Sequence, residues 1–206
     1  MSLRENEPAH AMLPENFVPV PLPKAYRLLN LGGVVLVSAQ DGETADAMPA
    51  AWSCPLDVAP FKAAVVVDAS HFTRALIERG GLFALQLPTV GVLRETLALG
   101  EVSRNDVPDK LEKSGAKFFR ADGFALPLVE GCAAWMIFRL VPEARMQRDY
   151  DLIVGECVAA WADPRVFRDG HWIFEDAPPA LRTIHYVAGG KFYAIGEGFA
   201  LPSTRT

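Results

Sequence analysis

Four consecutive residues, Ser70-His71-Phe72-Thr73, put two hydroxyls and an imidazole at what reads as the start of a helix. The first turn of a helix leaves backbone N–H groups without intrahelical acceptors, and the helix dipole adds partial positive charge there. A phosphate monoester suits such a place, although an ordinary helix cap uses the same residue types. A second polar set lies in EVSRNDVPDK, residues 101–110, where Ser103, Arg104, Asn105 and Lys110 share one loop. Arg offers an anion a bidentate fork and Lys offers it a point charge. The same composition also describes a solvated loop. A third feature is DAMPAAWSCPL, residues 46–56, which lies between two strand-like runs yet carries small residues where bulk would pack. Small side chains let a flat ring approach a strand backbone, whose N–H and C=O groups can then read the ring's polar edge. Tight packing against a neighbouring strand or helix would select the same residues.

Other chemistries leave no trace. The chain has no Cys-x-x-Cys and no His-x-x-x-His, so no metal site is indicated. No Gly-x-Ser-x-Gly elbow occurs. GEGFAL near the C-terminus lacks the third glycine and the following helix of a dinucleotide fingerprint.

The elements that must position these residues are mostly strands. GGVVLVSAQDG, residues 32–42, is a β-branched run ending in Asp-Gly, a tight-turn signal, so it and the small-residue stretch predict a hairpin. PFKAAVVVDAS supplies the next strand. HFTRALIERGG then reads as a helix with Phe72, Leu76 and Arg79 on one face, capped by Ser70 and ended by Gly80-Gly81. LFALQLP is a short strand, TVGVLRETLALG a short helix with Leu93 and Leu97 at helical spacing, and VPDKLEKSG a turn or two more. CAAWMIFRLVP and DLIVGECVAAW predict a long hairpin across Pro142, followed by strands at HWIFE and KFYAIG. FVPVPLPKAY, residues 17–26, reads as an extended arm, and residues 1–15 as a loose polar start. Strands do not alternate with long helices, which argues against a doubly wound parallel sheet. A closed or partly closed antiparallel barrel with short inserted helices accommodates the pattern.

The 206 residues, half of them apolar, predict one domain over residues 16–200 with a full core. With 20 Lys and Arg against 25 Asp and Glu, the net charge of −5 argues against nucleic acid as a partner. Apolar runs such as GVVLVSA are too short to cross a bilayer. Three dispersed cysteines and a start without an apolar signal core predict a cytoplasmic protein with reduced thiols.

Taken in order, LLNLGGVVLVSAQDG with AMPAAWSCPL, then VVVDASHFTRALIERGGLFALQLP, then LALGEVSRNDVPDK resemble the flavin reductase-like, FMN-binding split-barrel family, in its flavoredoxin-type branch. LVEGCAAWMIFRL, YDLIVGECVAAW and LRTIHYVAGGKFYAIG resemble its closing strands and terminal segment, so the likeness spans roughly residues 22–197. The resemblance implies a mainly β, six-stranded Greek-key split barrel, working as a homodimer with FMN near the interface and the YVAGGKFYAIG segment closing the partner's site. It implies that Ala47, Met48, Pro49, Ala50, Ala51, Trp52 and Ser53 lie along the isoalloxazine ring. Ser70, His71, Phe72 and Thr73, with Ser103, Arg104 and Lys110, would hold the ribityl phosphate. The implied activity is an NADH- or NADPH-linked FMN oxidoreductase that supplies a monooxygenase or another acceptor. The alternative is an electron carrier without its own turnover. No side chain is nominated as catalytic, because the flavin carries the redox chemistry. The chain departs from the family pattern at Asp46, where relatives have Asn, at Pro49, where they have Thr, at Asn105, where they often have Gly, and in VPDK, where the spacing from Asp to Lys110 is one residue longer.

Overall fold

The computed structural model describes residues 32–201 of the chain; the polar start and the proline-rich arm lie outside the described residues. VLVSAQD forms β1 (Val35–Asp41) and TADAMPA forms β2 (Thr44–Ala50), paired antiparallel from Val35 opposite Ala50 to Asp41 opposite Thr44. Gly42, at φ 56°, takes the left-handed turn conformation that the Asp-Gly pair predicts. After Ala51 and Trp52 come β3 (Ser53–Val58) and β4 (Phe61–Val66), also paired antiparallel. Helix α1 (Phe72–Gly80), β5 (Leu82–Leu87), helix α2 (Leu93–Glu101) and the four-residue α3 (Lys110–Lys113) follow. The second half holds β6 (Phe118–Phe119), β7 (Leu128–Val129), β8 (Ala134–Val141), helix α4 (Ala144–Tyr150) and β9 (Leu152–Ala162). Three short elements, β10 (Phe167–Arg168), β11 (His171–Trp172) and β12 (Ile184–Ala188), precede β13 (Lys191–Ala194).

The main sheet runs β2-β1-β5-β8-β9-β4-β3, antiparallel throughout. Its two edge strands are consecutive in the chain, and the link from Ala50 to Ser53 can span at most ~11 Å. The edges therefore meet at Ala51-Trp52, and the sheet curls into a Greek-key split barrel. Seven strands stand where six were expected, because the run from 44 to 58 bends at this link and each half pairs on a different edge. Pro49 in β2 and Pro55 in β3 fit these places, since an edge strand tolerates a missing N–H.

β1 is buried on both faces. Val35, Val37 and Ala39 join Val65, Leu76, Ile77, Phe83 and Phe138 in one core, while Leu36 joins Ala47, Leu99, Val129 and Cys132 in another. Phe83 and Phe138 stack with centroids 5.4 Å apart.

Several local expectations change. Helix α1 starts after His71 with no side-chain cap, and Ser70 Oγ donates instead to Asp68 Oδ1 at 2.7 Å. Its buried face is Thr73, Arg74, Leu76 and Ile77; Arg79 faces solvent and pairs with Asp41. In α2 the buried residues are Thr96 and Leu99 rather than Leu93 and Leu97. β8 and β9 pair as expected, with Trp135 opposite Trp161, but their connection folds into α4, none of whose residues is buried. A helix wet on every face carries no apolar period to read.

Candidate functional site

The link between β2 and β3 lies at the floor of a cavity of about 650 Å³. Met48, Pro49, Ala50 and Ala51 form this floor, and Leu97 and Gly100 of α2 adjoin it. A Cβ on Gly100 would lie 2.7 Å from Pro49 Cγ, so α2 packs on β2 as closely as a glycine permits.

One end of the cavity is polar. His71, Phe72 and Thr73 bring the start of α1 to it. The loop between α2 and α3 brings Ser103, Arg104 and Lys110 to the same end. That loop is folded on itself: Ser103 O accepts from the N–H groups of Asp106 and Val107 at 3.1 and 2.9 Å. Asn105 Nδ2 donates to Ser70 O at 3.0 Å and so ties the loop to the turn before α1. The Arg104 guanidinium lies over the Phe72 ring, 5.4 Å from its centroid.

A buried ion pair backs this end. Lys110 and Asp46, 3% and 1% exposed, face each other with Nζ 3.3 Å from Oδ1. Thr73 Oγ1 donates to Asp46 Oδ2 at 2.6 Å. Burial pushes the Lys110 ammonium below its ordinary value, and the neighbouring Asp46 carboxylate opposes that shift.

The β12–β13 hairpin supplies a further wall, through Tyr186, Gly189, Gly190 and Phe192. Gly189 and Gly190 have φ of 59° and 76°, which a two-residue hairpin turn requires. The hairpin thus lines the cavity of its own chain. A second cavity of about 690 Å³ shares Met48 to Ala51, His71, Tyr186 and Gly189 with the first, and adds Trp52, Tyr150, Asp68 and Asp151.

Ten of the residues singled out in the sequence therefore meet around one space: Met48, Pro49, Ala50, Ala51, His71, Phe72, Thr73, Ser103, Arg104 and Lys110. Trp52 lines the adjoining cavity. Three lie elsewhere. Ala47 points into the core beside Leu36 and Leu99, Ser53 pairs with Val65 in the sheet, and Ser70 turns to Asp68. Along β2, Ala47 alternates with Met48 and Ala50, which pack against the other core. Sequence reasoning missed Thr96, Leu97 and Gly100 of α2 and the pairing of Asp46 with Lys110. An acidic residue inside an otherwise apolar strand was the available signal for that pair. Among the described residues no cluster of three His, Cys, Asp or Glu could hold a metal ion.

Comparison with known proteins agrees with this architecture. The uncharacterized protein YddH of Escherichia coli (strain K12) is 42% identical over 184 residues, covering 88% of this chain and 96% of that one. The crystal structure of an FMN-binding domain of a flavin reductases-like enzyme from Shewanella baltica OS155 superposes with a TM-score of 0.81 at 48% identity, covering 89% of this chain and 96% of that one. Flavoredoxin of Desulfovibrio vulgaris (Miyazaki F) shares the fold, with a TM-score of 0.70 at 20% identity over 84% of this chain and 92% of that one. The model of the flavin reductase like domain matches residues 30–181, and the chain belongs to that family.

Proposed function

We propose that this chain binds FMN in the 650 Å³ cavity and, as a homodimer, passes electrons from NADH or NADPH to a monooxygenase or another acceptor. One observation carries the reading: a floor of small residues and an anion-friendly end belong to the same cavity. Its volume lies within the roughly 300–1,000 Å³ usual for ligand pockets. The residues present fit the group. Met48 to Ala51 would lie along the ring, and the start of α1, Ser103 and Arg104 would hold the phosphate. When bound, FMN supplies hydride acceptance and single-electron transfer. The chain's own task is to orient the ring, balance its charge and leave one face approachable. Exposed apolar residues on the β3 edge, Leu56 at 51% and Val58 at 90%, support a second copy as partner.

An electron carrier without its own turnover is favoured by a different observation. The described lining of the adjoining cavity holds Asp68 and Asp151 but no Lys or Arg to meet dinucleotide phosphates. Desalting after FMN addition, then NADH or NADPH, decides. Retained flavin bleached by either donor supports the oxidoreductase, and retained flavin untouched by both supports the carrier. No retained flavin and no donor oxidation with FMN supplied would refute both. Light scattering at twice 22.4 kDa supports the dimer, and a mass of 22.4 kDa rules it out.

A further inference from the structure

The polar end of the cavity holds two cations, and they are not equivalent. Lys110 is 3% exposed and already faces a carboxylate, with Nζ 3.3 Å from Asp46 Oδ1 and 3.5 Å from Oδ2. The same carboxylate accepts the Thr73 hydroxyl at 2.6 Å. Asp46 therefore joins β2, the first turn of α1 and the start of α3 through one buried group. An anion that approached Lys110 would also approach Asp46, whose charge offsets a large part of the attraction. Arg104 differs. It is half-buried, its ring contact is with Phe72, and among the described residues it meets no carboxylate. A cation–π contact at this range does not consume the guanidinium's N–H donors, which stay available to an anion.

The geometry points to Asp46 as a positioning residue that holds Lys110 back from the ligand and leaves phosphate recognition to Arg104. This rests on the flavin reading above. It also gives a physical consequence to the departure at position 46. An Asn there would accept the Thr73 hydroxyl equally well but would not neutralise Lys110.

FMN and riboflavin share the ring and ribityl chain and differ by the phosphate, so the ratio of their affinities isolates phosphate recognition. Both flavins are titrated against the full chain and four variants. Arg104→Met is expected to lower the FMN-to-riboflavin ratio about tenfold, as loss of a charge-assisted contact does. Asp46→Asn is expected to raise the ratio about threefold or more, because it frees Lys110 for the phosphate. Lys110→Met is expected to weaken both flavins by one factor and leave the ratio unchanged. If Lys110→Met does not fold, the double change D46N/K110M removes both charges and is expected to keep the wild-type ratio.

An unchanged or lowered ratio in Asp46→Asn would overturn the inference, because a merely structural Asp46 moves both affinities together. So would a tenfold fall in the ratio for Lys110→Met or for the double variant. Wild-type protein that binds neither flavin would defeat the flavin reading itself, and this inference with it.

Discussion

Gly100 and Pro49 set how near α2 comes to β2. A Cβ at position 100 would lie 2.7 Å from Pro49 Cγ and 3.3 Å from Cδ, and a pyrrolidine ring cannot rotate aside. Gly100→Ala therefore opposes two effects. Alanine gains up to about 1 kcal/mol of helix propensity, while overpacking costs about 1–3 kcal/mol. The contact is shorter than ordinary packing and its partner is stiff, so a net loss of about 1 kcal/mol is expected in urea unfolding. Weaker flavin retention should accompany it, since both residues line the cavity. A variant more stable than wild type with unchanged retention would mean that α2 shifts without strain. The run of small residues in 46–53 was legible as a close approach. What approaches was not, because the contact joins residues about fifty positions apart and neither helical nor strand periodicity encodes that pairing. The pattern also could not separate Ala47, packed on Leu36 and Leu99, from Ala50 at the cavity.

Helix α1 presents its first turn to the cavity because a buried arginine anchors it from behind. Arg74, 4% exposed, donates through Nη1 to Val67 O at 2.6 Å, through Nη2 to Gln147 O at 2.9 Å and through Nε to Glu78 Oε1 at 2.8 Å. Gln147 of α4 donates to the same Glu78 oxygen at 2.9 Å. Arg74→Met leaves two carbonyls without their donor and is expected to cost about 3 kcal/mol in urea unfolding. A loss below about 1 kcal/mol would show that water replaces the guanidinium. Burial alone would raise the Glu78 carboxyl, but the hydrogen bonds from Arg74 and Gln147 outweigh it and hold it below its ordinary 4.5. A carboxylate with a depressed folded pKa contributes stability that is full above the unfolded value and lost as pH falls through the folded one. Glu78→Gln should therefore lower the melting temperature at neutral pH and flatten its decline below pH 4.5. Parallel acid limbs in variant and wild type would contradict this. Elements with a clear apolar period were legible: β1, β4, β5, β8 and β9 all coincide with β-branched or aromatic runs. Helix α4 was not, having no buried residue, and neither were β6, β7 and β10, whose two residues are fewer than any period needs.

The barrel closes where its two edge strands share a link, and the cavity sits at that closure because the β12–β13 hairpin folds back over it. Val34 N donates to Ile184 O at 3.0 Å, and Gly33 bridges His185, so the hairpin is stitched to the start of β1. The family likeness implied that this terminal segment closes a partner's site. Here Tyr186, Gly189, Gly190 and Phe192 line the cavity of the chain that carries them. The two placements separate in one experiment. A chain ending before Tyr186 keeps Ile184, which is 1% exposed and completes the core at that end, and removes one wall of the cavity. If the wall belongs to its own chain, FMN affinity should fall about tenfold while the proposed dimer persists, because the exposed Leu56 and Val58 on β3 are untouched. Val58→Glu on the full chain is the counterpart: it should place like charges across an edge-to-edge contact and leave FMN affinity within about threefold of wild type. If truncation instead dissolves the dimer and Val58→Glu does not, the hairpin is the interface and the wall it forms belongs to the pair of chains.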